Sequence, residues 1–202
     1  AGRTSELVPI TMNIDYKRLK ESVAAIVHEV ESGEKDPIRR PKVRLRVVKD
    51  LQGEATAGPF IFRTDAAIDA GGFAEHPRPM DYVLAALASC QQMWCLRWAA
   101  QNDVVLPDLV IETQSVFSWR GEYLGEVDAG MSELRVTYEL GSTDLADEAL
   151  IRMADMVALR CPVYATLRRA VVVRENIVKT GAPAICREWQ PGLDQAVQAG
   201  MA

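Results

Sequence analysis

The sequence has very little histidine and not much cysteine. The only histidines among 202 residues are His28 and His76, so few residues could serve as the base of a Cys–His catalytic pair. No two cysteines have the C-x-x-C spacing of zinc sites, and four are too few for a disulfide-based scaffold. Any chemistry must therefore depend on thiols, carboxylates and arginines. The cysteines are Cys90, Cys95, Cys161 and Cys186.

Positive charge and long apolar runs are also lacking. The formal net charge is −5, which argues against a basic surface of the kind that binds nucleic acid. No apolar stretch approaches the roughly 20 residues that span a bilayer, so no membrane association is expected. Residues 1–6 lack the apolar core of a signal peptide, which predicts a cytoplasmic protein. What is present, 49% hydrophobic residues, suffices for one compact domain with extensions.

An amphipathic helix is predicted over residues 15–31. Asp15 can cap its start, its apolar residues recur at helical spacing, and Gly33 marks its end. A charged linker that contains Pro37 and Pro41 follows. We therefore predict an N-terminal arm, residues 1–41, whose helix packs on, or is exchanged between, globular bodies.

The pattern over residues 42–180 predicts an α+β domain, with residues 181–202 as a peripheral tail. Helical spacing predicts a long helix over residues 80–100, a helix capped by Asp144 and Asp147, and a short helix after Pro162. Consecutive strands followed by helices favour antiparallel sheets over a doubly wound parallel sheet. Apolar patterning predicts strands over residues 43–48, 60–63, 109–117, 134–140 and 171–178. Loops are expected over residues 66–79 and 121–130.

Cys90 and Cys161 lie in contrasting settings. Cys90 is near the middle of the long helix, which is apolar almost all round and should therefore be buried at the centre of the fold. Cys161 directly precedes Pro162, a residue suited to the first position of a helix. A helix N-terminus stabilises negative charge, so on these grounds Cys161 would be the more acidic thiol.

Each candidate residue also has a purely structural interpretation. A free cysteine is often a small buried hydrophobe, and Cys95, about 140° around the helix from Cys90, is expected to be one. Asp81 is placed to favour the helix dipole as well as to hold an arginine. In the purely structural interpretation, Arg63 is a strand residue whose side chain is solvated. Three apolar side chains of the long helix could either pack in the core or line an apolar pocket: Met93, Trp94 and Trp98.

Two motifs and one loop resemble a known family. Residues 79–90 read P-M-D-Y-V-L-A-A-L-A-S-C. They resemble the P-x-[E/D]-x-L-L-A-A-L-x-x-C helix of the osmotically inducible protein C and organic hydroperoxide resistance (OsmC/Ohr) superfamily. The later Cys161-Pro162-Val163 is similar to that family's second-cysteine motif, and residues 62–65, which lead to Gly71-Gly72, are similar to the segment before its first cysteine. The resemblance covers residues 43–178.

The resemblance implies an OsmC-like fold and a redox activity. The fold is an intertwined homodimer, in which antiparallel sheets pack around two long central helices and active sites lie at the dimer interface. The activity is thiol-dependent reduction of organic hydroperoxides, with an external dithiol as reductant and with no metal or organic cofactor. In such a dimer we expect the arm helix, residues 15–31, to pack across the interface.

The resemblance also implies a role for particular residues. Carried over by position, Cys90 is the peroxidatic cysteine and Cys161 the resolving one. Asp81 matches a family glutamate that orients an arginine, and its side chain is shorter by one methylene. Arg63 fits the activating arginine best. Less suitable candidates are Arg44 and Arg46.

The implied chemistry is consistent with the residues. Peroxide is attacked by thiolate, and burial disfavours that charge, so an arginine must approach Cys90. Attack leaves Cys90 as a sulfenic acid, with which Cys161 can condense to a disulfide. Two rival functions stay open. One is a non-catalytic binder of an apolar small molecule in the interface pocket, and the other is a cysteine hydrolase, although neither cysteine motif contains a histidine base.

Overall fold

The structure is a computed structural model, and it describes residues 13–169, 173–177 and 185–189. The helices are α1 (Tyr16–Glu31), α2 (Pro79–Gln101), α3 (Trp119–Leu124), α4 (Asp147–Arg160) and α5 (Pro162–Leu167). The strands are β1 (Arg44–Lys49), β2 (Gln52–Ala57), β3 (Phe60–Thr64), β4 (Val110–Val116), β5 (Glu133–Glu139), β6 (Val173–Ile177) and β7 (Ile185–Trp189). A single turn of 3₁₀-helix spans Ile68–Ala70.

All strand pairs in the described part of the chain are antiparallel, as an α+β fold predicts. One sheet has the order β1-β2-β3, and two further sheets pair β4 with β5 and β6 with β7. Three elements were not predicted, and the first is β2, which lies between the strands predicted over residues 43–48 and 60–63. The loop expected over residues 121–130 begins inside α3, and the tail expected to be peripheral supplies β7.

The predicted start of α4 is wrong. Asp144 does not cap this helix; its N-cap is Ala146, which makes no side-chain capping bond, and the helix begins at Asp147. The reason is local, because Thr143 Oγ1 accepts a hydrogen bond from the backbone N–H of Leu145 at 3.3 Å and so stabilises a separate turn before the helix. Asp147 and Glu148 then lie in the first helical turn, where carboxylates favour the dipole.

The arm helix α1 forms as predicted and packs against α2 of its own chain. Asp15 caps it by accepting a 2.9 Å hydrogen bond from the N–H of Arg18. Tyr16 Oη accepts a hydrogen bond from the backbone N–H of Leu106 at 3.1 Å, and Lys20 pairs with Asp103 at 2.7 Å. The arm is therefore fastened within its own chain near the end of α2, and its packing across a dimer stays a prediction. Its later apolar residues stay exposed: Ile26, Val27 and Val30.

The core lies between α2, α4 and α5. It is formed by Cys90, Cys95, Trp98, Ala99, Leu106, Met153, Val157 and Cys161. The prediction that α2 is buried all round holds for one side only. A strip of the helix is open to solvent and consists of Ala85, Ala86, Ser89, Gln92 and Met93. We call this strip the open face of α2.

The sheet β1-β2-β3 also shows much apolar surface. Every residue of β1 is exposed, including Leu45 and Val47, whereas β2 buries only Gly53 and Ala55. Phe60 and Ile61 of β3 are exposed as well. The strand that the alternation of residues 43–48 predicted is thus present, but among the described residues it is exposed throughout rather than half-buried. Among the described residues, no helix has the length and apolarity that crossing a membrane requires.

Candidate active site

Cys90 and Cys161 come together in the core. The two thiols are neighbours in one cluster of buried side chains, and both are free of disulfides. Cys90 keeps 6% of its surface accessible, whereas Cys161 is fully buried behind it. Cys90 borders the open face of α2, so a small solute can reach it from that side. The pair therefore consists of an outer and an inner thiol in direct contact.

The inner thiol caps a helix, as its sequence setting predicted. Cys161 is the N-cap of α5, Pro162 occupies the first helical position, and Cys161 Sγ accepts a 3.4 Å hydrogen bond from the N–H of Tyr164. The expectation that this position makes the thiol acidic is wrong. Burial raises the pKa of Cys161 to about 11, and the neighbouring Cys90 thiol adds to the effect. A helix of only six residues has a small dipole, so burial outweighs it.

Cys95 is a core residue, as predicted, yet it lies near the pair. It is fully buried, and burial raises the pKa of its thiol to about 12, with a smaller contribution from Cys161. Cys161 and both cysteines of α2 therefore belong to one buried cluster. The 140° between Cys90 and Cys95 separates their directions on the helix, but both directions border the side that Cys161 covers.

A buried polar pair beside the thiols was not predicted. Gln91, which follows Cys90 in α2, is almost fully buried and accepts a hydrogen bond from Tyr138 Oη of β5. Burial raises the pKa of Tyr138, and the nearby Cys95 and Tyr164 add to this. The signal in the sequence was a glutamine in an otherwise apolar helix. By fixing β5 to the residue after Cys90, the bond restrains the turn that carries the outer thiol.

Asp81 does hold an arginine, but the arginine is Arg78. The Asp81 carboxylate accepts hydrogen bonds from Arg78 at the backbone N–H (2.9 Å), Nε (3.0 Å) and Nη2 (2.9 Å). These bonds hold the pKa of Asp81 below its ordinary value and raise the pKa of Arg78. Asp81 is also part of a capping box at the start of α2. The cap and the arginine anchor, which the sequence offered as alternatives, are therefore one arrangement.

The side chain of Arg63 is bound by a carboxylate other than that of Asp81. Its Nη2 is 3.2 Å from Glu54, a carboxylate that also binds Arg46 Nη2 at 2.6 Å. The two guanidinium groups hold the pKa of Glu54 below its ordinary value. The backbone carbonyl of Arg63 accepts a 2.5 Å hydrogen bond from Tyr82 Oη near the start of α2. Tyr82 lies about two helical turns before Cys90, so the chain does not bring Arg63 to Cys90, and the Arg63 guanidinium binds Glu54 rather than the nearby Asp81.

A buried carboxylate shapes the segment between β3 and α2. Asp65 is almost fully buried and accepts backbone hydrogen bonds from Ala66 (2.7 Å), Phe73 (3.2 Å) and Glu75 (3.1 Å). Burial raises its pKa, but these bonds outweigh burial and bring the pKa to about 2. Gly72 fits because a Cβ there would lie 2.1 Å from the carbonyl oxygen of Ala66. The Gly-Gly segment of the sequence is thus a tightly folded loop.

A cleft of about 720 Å³ opens beside this loop. The loop forms one wall, the start of α2 forms the floor with Arg78 and Asp81, and α3 supplies aromatic side chains. Trp119 and Tyr123 stack edge to face there, with ring centroids 6.2 Å apart. Neither Cys90 nor Cys161 lines the cleft. The described residues contain no group of three or more histidine, cysteine, aspartate or glutamate side chains placed to hold a metal ion.

Comparison with known proteins identifies the fold. The sequence model of the OsmC-like protein family matches residues 72–176. The structure is similar to an OsmC-like protein from Mycoplasma pneumoniae, with a TM-score of 0.56 and 19% identity over 64% of this chain and 88% of that chain. An organic hydroperoxide resistance protein OsmC from Legionella pneumophila has a TM-score of 0.50 and 15% identity, over 66% of this chain and 92% of that chain. An organic hydroperoxide resistance protein from Elizabethkingia anophelis has a TM-score of 0.51 and 10% identity, over 66% of this chain and 91% of that chain. No curated protein matches the sequence.

Proposed function

We propose that this chain, which belongs to the OsmC-like protein family, is a thiol-dependent peroxidase that reduces organic hydroperoxides. The observation that carries the proposal is the contact between a slightly accessible thiol, Cys90, and a buried one, Cys161. Two of the structurally similar proteins are described as organic hydroperoxide resistance proteins, which supports this class of substrate. An external dithiol serves as reductant.

The proposed cycle has three steps. The Cys90 thiolate attacks the outer oxygen of the hydroperoxide, the O–O bond breaks, and the alkoxide takes a proton and leaves as an alcohol. Cys90, oxidised by two electrons, is then a sulfenic acid. The Cys161 thiolate attacks the Cys90 sulfur, the hydroxyl leaves as water after protonation, and a disulfide forms. Two thiol–disulfide exchanges with an external dithiol regenerate both thiols and convert the dithiol to its disulfide.

The assignment of the two thiols follows from accessibility. A peroxide has to touch the attacking sulfur, and only Cys90 of the pair has exposed surface. Cys161 has none, and its raised pKa makes its thiolate rare near neutral pH. An inner thiol of this kind is protected from direct oxidation and acts only on an oxidised neighbour. Cys90 therefore attacks and Cys161 resolves.

We place the active site at the interface of a homodimer. The open face of α2 borders Cys90 and contains Ala85, Ala86 and Ser89, small residues that let a second helix approach closely. The apolar residues that β1 and β3 leave exposed give the partner further surface to cover. Covering this face would remove water from the neighbourhood of the outer thiol.

In such a dimer, Arg78 and Asp81 act on Cys90 of the partner subunit. Nine residues separate Asp81 from Cys90, about 13 Å along the helix, which is too far for contact within one chain. If two antiparallel α2 helices cross midway, near Ala85, the Asp81 end of each lies at the level of the other's Cys90. Arg63 lies at the same end through its bond with Tyr82, so it stays an alternative to Arg78 as the activating arginine.

Mass spectrometry of the thiols tests the redox proposal. Fully reduced protein receives one equivalent of an organic hydroperoxide, and the remaining thiols are then blocked. We expect a Cys90–Cys161 disulfide that a dithiol reverses, and no peroxide consumption by Cys90→Ser. Cys95→Ser is the matched control, since it removes a buried thiol of the same helix and should leave turnover intact. Peroxide turnover at the wild-type rate in Cys90→Ser would disprove the proposal.

Mixing two inactive variants tests the shared site. Arg78→Met and Cys90→Ser should each lose most activity as homodimers. After equal mixing and subunit exchange, half of the dimers combine the two chains, and each has one intact site, so about a quarter of wild-type activity returns. If Arg78 acted within its own chain, no intact site would form and the mixture would stay inactive. The same mixture made with Arg63→Met decides between the two arginines.

The cleft supports a second candidate, a non-catalytic binder of small apolar molecules. Its volume of about 720 Å³ suits a drug-sized ligand, and aromatic side chains form one wall. A binder predicts that apolar ligands protect the protein against thermal unfolding while peroxide leaves Cys90 and Cys161 as thiols. Rapid formation of the disulfide would argue for the peroxidase instead.

A further inference from the structure

Arg97 is a cation whose charge no carboxylate neutralises within the described residues. It lies on α2, is half-buried, and takes part in none of the ion pairs found there. Its guanidinium carbon is 4.8 Å from the centroid of the Trp94 ring, a cation–π contact. Trp94 in turn packs against the core cluster that contains Cys90. The indole therefore holds this charge in a fixed position.

Helix geometry places Arg97 above the outer thiol. Trp94 and Arg97 follow Cys90 by four and seven residues, which puts all three on one face of α2. Helical side chains lean towards the N-terminus, so Trp94 covers the turn of Cys90 and Arg97 reaches back over Trp94. Seven residues span about 10 Å along the axis, and the lean of the side chain reduces the separation of the charges to about 8 Å.

The other candidate arginines supply less net charge near Cys90. Arg78 is bound one-to-one to Asp81, so the positive field of that pair is largely cancelled. Arg63 and Arg46 share the single carboxylate of Glu54 and keep one net positive charge, but Arg63 is linked to Tyr82, about two helical turns before Cys90. The ionisable groups packed in the cluster around Cys90 are the thiols of Cys95 and Cys161 and the phenols of Tyr16, Tyr138 and Tyr164, and none of them is a carboxylate or a second cation.

We propose that Arg97, held on the face of Trp94, is the positioning residue that supplies positive charge to the Cys90 thiolate from within the same chain. The inference rests on the proposed peroxidase function, and it separates two tasks. Arg78 and Asp81, or Arg63, arrange the hydroperoxide, whereas Arg97 favours the charged form of the attacking sulfur.

The rate of Cys90 alkylation as a function of pH tests the inference. Iodoacetamide labelling, followed by mass spectrometry of the Cys90 peptide, is compared for wild type, Arg97→Met and Arg97→Lys. For Arg97→Met we expect the profile to move up by about half a pH unit and the rate at pH 7 to fall about threefold, the effect of one charge at about 8 Å in a largely aqueous dielectric. Arg97→Lys should restore most of the rate. The matched control is Arg39→Met, an exposed arginine of the linker.

Salt gives a second measurement that a purely structural role would not affect. The difference between wild type and Arg97→Met should shrink at 0.5 M salt, where the screening length falls to about 4 Å. Identical profiles for wild type and Arg97→Met would overturn the inference, as would equal shifts for Met and Lys, which would mean that the stack matters only for packing. Alkylation requires no peroxide, so a failure of the peroxidase function is detected separately, in turnover by the wild type.

Discussion

Disulfide formation should be slow at neutral pH and should accelerate steeply with alkali. The reason is the pKa of Cys161, which burial raises to about 11. At pH 7 only about one inner thiol in ten thousand is then ionised, against about three in a hundred for an ordinary cysteine of pKa near 8.5. The attacking species is the thiolate, so the rate should rise about tenfold per pH unit and keep rising well beyond pH 9.

A double-mixing experiment isolates this step. Reduced protein is first oxidised with one equivalent of tert-butyl hydroperoxide at pH 6, where Cys90 sulfenic acid accumulates, and is then brought to pH values between 6 and 10. Dimedone traps the remaining sulfenic acid at timed intervals, and mass spectrometry counts the adduct and the Cys90–Cys161 disulfide. In Cys161→Ser the adduct should persist at every pH.

The shape of the pH profile tests whether burial controls the ionisation of Cys161. A logarithmic rate that climbs with a slope near one up to pH 10 agrees with a buried resolving thiol. A plateau between pH 8 and 9 would mean that Cys161 ionises like an exposed cysteine. The assignment of burial as the dominant influence on this thiol would then be refuted, together with the argument that it is protected from direct oxidation.

Three further results are expected from the same structure. Burial raises the pKa values of Cys95 and Cys161 above their values in the unfolded chain, so the two neutral thiols contribute their full stabilisation below about pH 8.5. At higher pH the free energy of unfolding, measured by equilibrium urea unfolding, should fall by up to about 1.4 kcal/mol per pH unit for each thiol towards pH 11. Leu106→Ala should cost about 2–5 kcal/mol because the side chain is fully buried, whereas Leu159→Ala, at an exposed position, should change stability by less than about 0.5 kcal/mol in the same assay. Asp65→Asn should loosen the loop that its carboxylate holds, which faster proteolysis within residues 66–77 would reveal; unchanged cleavage would contradict the role given to Asp65.

The sequence predicted that the two thiols lie close together better than it predicted the acidity of Cys161. The motif around Cys90 and the Cys161-Pro162 step indicated a shared site, and the fold brings the two thiols into contact. The acidity of Cys161 was predicted wrongly, because the burial of its side chain depends on α2, an element distant in sequence. A capping residue is a local signal, whereas desolvation is a property of the assembled core.

The partner of Asp81 shows a similar limit. Its place at a helix start was clear from the sequence, but which arginine it binds depends on short-range geometry. Arg78, three residues away, reaches it through the capping box, while a cross-strand carboxylate, Glu54, occupies Arg63. The helix α3 was missed for another reason. Gly121 and Gly125 suggested a loop, yet Gly125 ends the helix with a positive φ of 65°, and Gly121 fits where a Cβ would meet the backbone of residues 128–129.

The exposed sheet β1-β2-β3 affects how readily newly synthesised chains aggregate. Within the described residues, β1 is an outer strand whose apolar side chains and unpaired backbone are exposed, a template on which newly made chains aggregate. Arg44, Arg46 and Lys49 interrupt that template with positive charge, which repels another copy of β1 laid alongside it. The charges thus act as gatekeepers while the strand is exposed. If the proposed homodimer covers this sheet, refolding yield should depend on concentration in both directions, because dilution delays the encounter of two subunits and crowding favours aggregation through β1.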